Sequence, residues 1–172
     1  MNLRPDEITG IIKSQIKNYQ SKLKLADIVR CEQESAPKYI KFRRDGRFAY
    51  VIHEISDTVD VYSYSVDDRG NPVFNKIQKI QTVNDYHATG TASSALNLSM
   101  DFKYILSSNA GDNSVIIFRI DEKTGLLTKI LCLPISGDYP KDAEIFPGNE
   151  FVVSLNHETN DMTFFKFDSA SL

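Results

Sequence analysis

The 172-residue sequence contains no tryptophan and only two cysteines, Cys31 and Cys132, which lie far apart in the chain. So few cysteines exclude a fold organised by a disulfide framework, and we expect two buried free thiols. No apolar run approaches the roughly 20 residues that a membrane-spanning helix needs. Acidic residues outnumber basic ones, and the net charge of −3 argues against a general nucleic-acid-binding protein.

The N-terminus lacks the pattern of a secretory signal peptide. Asp6 and Glu7 stand where basic residues are expected, and no continuous apolar stretch follows them. We therefore expect a cytoplasmic protein. The length suffices for one domain with its own core, and 25% charged with 41% hydrophobic residues is typical of a soluble globular chain.

Residues 1–27 have the periodicity of an amphipathic helix. Pro5 suits the first helical position, and the acidic pair after it favours the positive end of a helix dipole. One apolar stripe recurs at helical spacing and consists of Ile8, Ile12, Ile16, Tyr19 and Leu23. The sequence predicts one N-terminal α-helix here, followed by a junction over residues 28–36, where the period changes.

From Pro37 onward the sequence has a repeating pattern of short strands separated by turns. The predicted strands are 39–42, 48–52, 58–66 and 73–81 in the first unit, 93–98, 104–108, 114–120 and 126–133 in the second, and 143–146, 151–156 and 162–167 in the third. Aligning the loops makes two sets of residues equivalent: His53, Asn109 and Asn156, and Tyr62, Phe118 and Phe165. A period of about 50 residues is typical of propeller arrays.

The strands also predict burial on both faces. Ile116, Ile117 and Phe118 run together, as do Phe164 and Phe165. A propeller blade lies between two neighbours, so both of its faces need apolar side chains. The predicted fold is mostly β: an incomplete β-propeller of about three four-stranded antiparallel blades, over residues 37–82, 91–134 and 139–168, preceded by one α-helix.

The N-terminal segment carries a second pattern, in the residues Arg4-Pro5-Asp6-Glu7-Ile8, Ile11-Ile12-Lys13, Gln15-Ile16 and Asn18-Tyr19. In these residues it resembles the extreme N-terminus of the α subunit of F-type ATP synthase, which docks against the peripheral stalk. The resemblance implies a helix that docks to a partner. The alternatives are an extension that folds onto its own domain or stays partly disordered, and a membrane-surface helix. No GxxxxGK[ST] motif occurs, so nucleotide binding is not implied.

A separate resemblance rests on Pro37-Lys38-Tyr39-Ile40, Ala49 to Ser56, Thr91-Ala92-Ser93-Ser94, Ser108 to Val115 and Tyr139-Pro140-Lys141-Asp142. From about residue 36 to its end, the sequence resembles the lactonase family of seven-bladed propellers. That family contains bacterial 6-phosphogluconolactonases and cycloisomerases of carboxymuconate lactones. It usually has Arg at positions 38 and 141 and His at position 39. A whole member needs about twice this length, so the resemblance implies a fragment or a fusion.

The lactonase resemblance implies a site that opens lactones. It places Glu54 at the family's acidic position, as base or proton shuttle, with His53 beside it as a second catalytic candidate. Lys38 and Lys141 begin the first strands of their blades, where propellers face the central channel, and are the candidates for binding an anion. Further substrate-binding candidates, by their proximity to these motifs, are His87 and Asp142.

The implied function is hydrolysis of sugar-acid lactones, and the implied partner is a small-molecule lactone or sugar phosphate. No cofactor is implied. Neither His53-Glu54 nor His157-Glu158 continues into an HExxH motif, so we expect no metal site. No GxSxG motif supports a serine hydrolase. The alternative is a non-catalytic interaction module, because a catalytic histidine of the preceding blade would fall before residue 28.

An open set of blades also predicts self-association. About three blades cannot close a ring, so faces such as Phe164 and Phe165 would be exposed, and open strand edges invite pairing with another chain. We expect the chain to oligomerise, to aggregate or to be only marginally folded, and to have weak or no lactonase activity.

Overall fold

The computed structural model describes residues 25–169, and the predicted N-terminal helix lies outside them except for its last three residues. Residues 25–27 are not helical. The predicted junction, residues 28–36, runs without helix or strand towards the first sheet. In residues 25–169 no helix is long and apolar enough to cross a membrane.

The described chain forms twelve strands in three antiparallel sheets, which follow one another along the sequence. The first sheet contains β1 (Pro37–Phe42), β2 (Phe48–His53), β3 (Thr58–Val66) and β4 (Pro72–Gln81). The second contains β5 (Ala92–Ser93), β6 (Asn97–Leu98), β7 (Tyr104–Ala110), β8 (Ser114–Ile120) and β9 (Leu127–Pro134). The third contains β10 (Pro140–Ile145), β11 (Phe151–Asn156) and β12 (Asp161–Lys166). Each sheet is a meander, and we call β1, the β5–β6 pair and β10 the inner strands.

The predicted strand over residues 93–98 is wrong, because the inner strand of the second sheet is broken into β5 and β6. Between them the backbone bonds to one residue of β7. The amide of Ser94 donates to the carbonyl of Ser108 at 2.8 Å, and the amide of Ala95 donates to the Ser108 side chain at 3.1 Å. A hydroxyl thus replaces part of the regular ladder.

The predicted repeat is confirmed at the level of register. His53 is the last residue of β2, Asn109 the second-last residue of β7 and Asn156 the last residue of β11, and each pairs with the first residue of the next strand. The second aligned set also shares one register position, since Tyr62, Phe118 and Phe165 pair with Ala49, Ile105 and Val152 respectively. The three sheets are therefore copies of one unit.

Two apolar cores hold the sheets face to face. One joins the first and second sheets around Tyr50, Ile105 and Phe118, all of which are fully buried. The other joins the second and third sheets around Leu106, Ile117 and other apolar side chains. Fully burying one such side chain stabilises a fold by about 1.5–3 kcal/mol. Strands β7 and β8 are buried on both faces, as the sequence predicts for a blade between two neighbours.

The turn that contains Gly125 packs tightly against the first core. Gly125, in the turn before β9, has a φ of 72°, and a Cβ at this position would lie 2.4 Å from the ring of Phe48. The hydroxyl of Tyr50 donates to the Gly125 carbonyl at 3.1 Å. Burial raises the pKa of Tyr50 to about 12, so the phenol remains a donor at neutral pH.

The outer faces of the first and third sheets expose apolar side chains. Ile40 and Phe42 are each 47% exposed on the first sheet, and Phe164 is 58% exposed on the third. The expected exposure of Phe165 is wrong: it is half-buried and packs against the second core. Neighbouring residues of a strand point to opposite faces, so these two phenylalanines cannot share an environment.

The two cysteines are free, as expected, but they are half-buried instead of buried. Cys132 packs against the first core, and burial raises the pKa of its thiol. Cys31 lies beside the open face of the first sheet. The position of Cys132 does not resemble that of a low-pKa reactive thiol.

Candidate functional site

Lys38 and Glu54, two of the predicted site residues, form an ion pair at the end of the first sheet where its inner strand begins. Lys38 Nζ donates to Glu54 Oε1 at 2.9 Å, and the two side chains are 24% and 37% exposed. Glu54 follows β2 directly, and its amide donates to the carbonyl of Ala36 at 2.9 Å. A partly exposed pair of this kind adds about 0.2–1 kcal/mol to stability, so it is a weak structural device.

The backbone that positions this pair recurs in the third sheet. Ala36 and Tyr139, just before the two inner strands, have positive φ angles of 54° and 60°. Each inner strand then shifts register after its first residue, and Lys38 and Lys141 lie within the two shifts. The amide of His157 donates to the Tyr139 carbonyl at 3.1 Å, as that of Glu54 does to Ala36. Lys38 and Lys141 therefore occupy equivalent positions at the same end of their blades.

A cavity of about 280 Å³ lies between the inner strands of all three sheets, and we call it the channel cavity. Its polar lining consists of Tyr39, Lys41, Asn97, Lys141 and Asp142. Two predicted site residues, Lys141 and Asp142, which are neighbours in the sequence, line this cavity, whereas Lys38 and Glu54 do not. Lys41 and Lys141 make no ion pair among the described residues. A cavity lined by two such lysines favours an anionic or strongly polar ligand.

The polar groups of the channel cavity are held by short contacts. The Asn97 side chain donates to Asp142 Oδ1 at 2.9 Å and to the carbonyl of Ala143 at 2.8 Å. The ammonium of Lys141 lies 4.4 Å from the centre of the Tyr139 ring, at cation–π distance. These contacts fix the second and third inner strands relative to each other and orient their side chains.

Sequence reasoning missed three residues that share one register position on the inner strands. They are Lys41, Asn97 and Glu144, whose partners across the ladder are Tyr50, Leu106 and Val153. Each partner precedes the aligned residue of its strand, His53, Asn109 or Asn156, by the same number of positions. The loop alignment could have found them, since it fixes the register of every inner strand.

The carboxyl group of Glu144 is accessible to solvent but loses part of its hydration. Burial raises its pKa, the charge of Asp142 adds to this rise, and the hydrogen bond from the Ile145 amide and the charge of Lys41 oppose it. Glu144 itself is exposed, so the neighbouring inner strands, and not burial in a core, cause this loss of hydration. Glu144 is therefore a titratable group near the channel cavity.

His53 lies on the outer face of the first sheet, where the segment before β1 covers it and leaves 1% of its surface exposed. Its Nδ1 is 3.0 Å from Ser35 Oγ and its Nε2 is 3.2 Å from Asp60 Oδ2. Burial lowers the pKa of the imidazole, and the nearby Asp60 carboxylate opposes that shift. No ring atom faces the channel cavity, so a direct catalytic role for His53 stays a prediction without a supporting contact.

His87 lies on the exposed loop after β4, apart from the other predicted site residues. Its ring contacts the carbonyl of the next residue, Ala88, at 2.9 Å. The amide of Ala88 donates to Asp112 at 3.0 Å, which ties this loop to the second sheet. In the described chain His87 has no hydrogen bond to Lys38, Glu54 or the channel cavity, so its substrate-binding role stays a prediction.

A buried polar network, which sequence reasoning also missed, supports the Glu54 loop. Asp57 accepts a hydrogen bond from Ser93 at 3.0 Å, and Ser93 lies 2.6 Å from Thr82. The Asn109 side chain donates to the Thr82 carbonyl at 2.6 Å. Burial raises the pKa of Asp57, while its hydrogen bonds to Ser93 oppose this. The network joins the first two sheets where the site lies.

A second cavity, of about 370 Å³, lies on the open face of the first sheet. Apolar side chains such as Ile40, Val51 and Phe74 form most of its wall, with Lys38 at its edge. It offers few groups that could orient a polar substrate, so the channel cavity is the better candidate site. In residues 25–169 no group of three or more His, Cys, Asp or Glu is placed to hold a metal ion.

Three equivalent meanders that pack face to face, with their inner strands around a shared cavity, define a segment of a β-propeller. A family model described as a lactonase, 7-bladed β-propeller, matches residues 9–172. The chain belongs to this lactonase family. The match begins at residue 9, inside the segment that resembles the ATP synthase α subunit. The resemblance to ATP synthase stays a prediction.

Three relatives place the chain more closely. It is 28% identical over 158 residues to a 6-phosphogluconolactonase of Formosa agariphila, covering 88% of this chain and 42% of that protein. It is 26% identical over 137 residues to a 6-phosphogluconolactonase of Bacillus subtilis, covering 78% and 38%. The structure of a periplasmic gluconolactonase from Pseudomonas aeruginosa matches with a TM-score of 0.76 at 26% identity, covering 83% and 39%. The matched part of the chain therefore corresponds to about two fifths of the length of each of these proteins.

Proposed function

We propose that this chain forms part of a lactonase that hydrolyses sugar-acid lactones, with phosphorylated lactones as its preferred substrates. The observation that carries the proposal is the channel cavity, where Lys41 and Lys141 meet Asn97 and Asp142. The family supports the reaction class, and relatives named 6-phosphogluconolactonase support the substrate class. The cytoplasmic location is part of the proposal and rests on the sequence.

Lactone opening needs a base for water and a cation for the developing oxyanion. We assign the base to Glu54, whose carboxylate is partly exposed beside Lys38. Glu54 takes a proton from water as the oxygen attacks the lactone carbonyl carbon. The bond from that carbon to the ring oxygen then breaks, and the departing oxygen receives a proton. One lactone and one water thus give one hydroxy acid.

We assign substrate binding to the channel cavity. Lys41 and Lys141 supply fixed positive charge for a phosphate or a developing oxyanion, as point charges and not as bidentate forks. Asn97 and Asp142 are held by a 2.9 Å hydrogen bond and can hydrogen-bond sugar hydroxyls. Glu54 is not part of the lining of the channel cavity; it pairs with Lys38, which occupies on β1 the position that Lys141 occupies on β10.

The second candidate function is a non-catalytic interaction module. The exposed apolar side chains at Phe42 and Phe164 favour it, because contiguous exposed apolar patches are typical of protein interaction surfaces. The predicted docking helix of residues 1–27 belongs to this alternative.

A lactonase assay on the 172-residue protein separates the two functions. With 6-phosphogluconolactone, we expect Glu54→Gln to lower kcat at least about tenfold, since general base catalysis contributes 10²–10⁴-fold. Lys141→Gln should raise KM for the phosphorylated lactone more than for gluconolactone. The control is Glu158→Gln, which removes a carboxylate from the equivalent loop of the third sheet. Equal rates for wild type and Glu54→Gln would remove Glu54 from the mechanism, and a rate no faster than spontaneous hydrolysis in all proteins would favour the interaction module.

A further inference from the structure

A closed ring of polar contacts crosses the outer face of the first sheet, and we call it the polar ring. It connects the segment before β1 with β2, β3 and β4, and its members are Glu32, Ser35, His53, Asp60 and Lys76. Three of these, Ser35, His53 and Asp60, are at most 3% exposed. Among the described residues, the buried atoms His53 Nε2 and Asp60 Oδ1 have no hydrogen-bond partner, so the imidazole meets Asp60 at a close distance without a well-formed hydrogen bond. Its side-chain hydrogen bond is the one with Ser35.

The contacts can be followed around the polar ring. Ser35 Oγ lies 2.7 Å from the Glu32 carbonyl and 3.0 Å from His53 Nδ1. His53 Nε2 lies 3.2 Å from Asp60 Oδ2. Lys76 Nζ closes the path, at 3.2 Å from Asp60 Oδ2 and 3.2 Å from Glu32 Oε1. The polar ring therefore joins the segment before β1 to β3 by two paths. Removing His53 breaks the path through Ser35 and leaves the path through Glu32 and Lys76.

The segment that the polar ring holds also carries the backbone partners of the Glu54 loop. The Ser35 carbonyl accepts the amide of Ile55 at 3.2 Å, and the next carbonyl, that of Ala36, accepts the amide of Glu54 at 2.9 Å. Lys38, the partner of Glu54, follows two residues later. Any displacement of Ser35 is thus transmitted to Glu54 through two hydrogen bonds and to Lys38 through the chain.

The other sheets lack this side-chain arrangement. In the third sheet Asn156 occupies the register position of His53 and bonds to Asp161 and Thr163 in its own sheet. Asp138, at the position of Ser35, accepts from Asn113 instead. The backbone bonds to the loop are nevertheless kept there. The imidazole link is therefore a property of the sheet that carries Lys38 and Glu54, and it is not required to build a blade.

We propose that His53 is a positioning residue, which holds Ser35 and thereby fixes Glu54 against Lys38. The part of this inference that concerns catalysis rests on the proposed function. The part that concerns how His53 holds Ser35 and the Glu54 loop does not. His53→Asn is the informative substitution, because asparagine stands at the equivalent position in both other sheets. It preserves a polar group, yet its shorter side chain cannot span from Ser35 to Asp60.

The experiment compares amide hydrogen exchange in wild type, His53→Asn, Ser35→Ala and Ser154→Ala, on the full chain. Ser154→Ala is the control, since Ser154 is a fully buried serine bonded within the third sheet. We expect the amides of Glu54 and Ile55 to exchange at least tenfold faster in the first two variants and unchanged in the control. The amides of Val61 and Val115, in the cores of the first and second sheets, should keep their wild-type rates. Where lactonase activity is present, kcat should fall in the same two variants with KM little changed.

Two results would overturn the inference. Unchanged exchange at Glu54 and Ile55 would show that His53 does not hold the loop. Acceleration at Val61 to the same degree would show that His53 only stabilises the sheet. Because both readouts are exchange rates, an inactive wild-type protein removes the proposed function without deciding the positioning role.

Discussion

Lys41 and Glu144 occupy the same register position on the inner strands of the first and third sheets, with opposite charges. Lys41 pairs with Tyr50 and Glu144 with Val153, at equal distances from the aligned strand ends. The charge of Lys41 is one of the influences that lower the pKa of Glu144. A propeller repeats its backbone around an axis. Different residues at the same position of successive blades therefore place different chemical groups around one channel.

The first prediction concerns Lys41. Lys41→Met should raise the pKa of Glu144, because a nearby positive charge that favours its ionised form is removed. It should also weaken binding of 6-phosphogluconate several-fold. NMR titration of the Glu144 carboxyl and calorimetry measure the two effects. Lys123→Met, in an exposed turn, should change neither, and unaltered binding in Lys41→Met would contradict an anion site at the channel cavity.

The second prediction separates function from stability at the ion pair. Glu54→Gln and Lys38→Met should each change the free energy of unfolding by less than about 1 kcal/mol, because partly exposed pairs contribute little. Urea denaturation measures this. A loss well above that value would mean that Glu54 has a structural role, and a fall in activity could then no longer be assigned to catalysis.

The third prediction concerns Gly125. Gly125→Ala should destabilise the fold more than Gly70→Ala, although both glycines have positive φ angles, of 72° and 81°. A Cβ at Gly70 meets no atom within 4 Å, whereas at Gly125 it meets the Phe48 ring at 2.4 Å. The backbone strain costs about 1–2 kcal/mol at each position, so the difference measures the contact. Equal losses in thermal or urea unfolding would disprove the clash.

The fourth prediction concerns pH. Burial lowers the pKa of His53 below its usual 6.5, so the unfolded chain binds more protons than the folded chain in that range. Stability contributed by neutral His53 is therefore complete above about pH 6.5 and is lost as the pH falls towards the lowered pKa of the folded state. Asp57 and Glu144, whose pKa values are raised, act in the opposite sense. The difference between wild type and His53→Asn isolates His53, and parallel stability–pH curves would contradict the prediction.

The fifth prediction concerns self-association. The exposed apolar face around Phe42 and that around Phe164 lie on opposite outer sheets, so a second copy can cover one with the other by the face-to-face packing already present inside the chain. We expect concentration-dependent oligomers in sedimentation velocity, and rising salt should not dissolve them. Phe164→Glu should reduce association, whereas Met100→Glu, at an exposed position in a turn of the second sheet, should not. Sedimentation of the wild-type protein as a monomer at every concentration would contradict this prediction.

The strand pattern could be predicted from the sequence because it depends on local alternation and turns. The bounds of β3, β8 and β11 agree with the prediction, and the alignment of His53 with Asn109 and Asn156 is confirmed. The break between β5 and β6 could not be predicted, since it depends on Ser108, a residue on a different strand.

The candidate site was predictable only in part. Lys38, Glu54, Lys141 and Asp142 were named from motifs, and the structure pairs the first two and places the other two in one cavity. Lys41 belongs to no motif. It is a candidate because it lines the channel cavity together with residues of the other two sheets.

The sequence by itself determined the repeat, the strand order and the apolar faces, because each follows from side-chain periodicity within a few residues. Tertiary structure alone decided which polar groups meet. It buried His53 between Ser35 and Asp60, brought Lys41 and Lys141 from separate blades to one cavity, and half-buried Phe165 while exposing Phe164. The physical reason is that such contacts depend on how the sheets pack, and packing joins residues that are far apart in the chain.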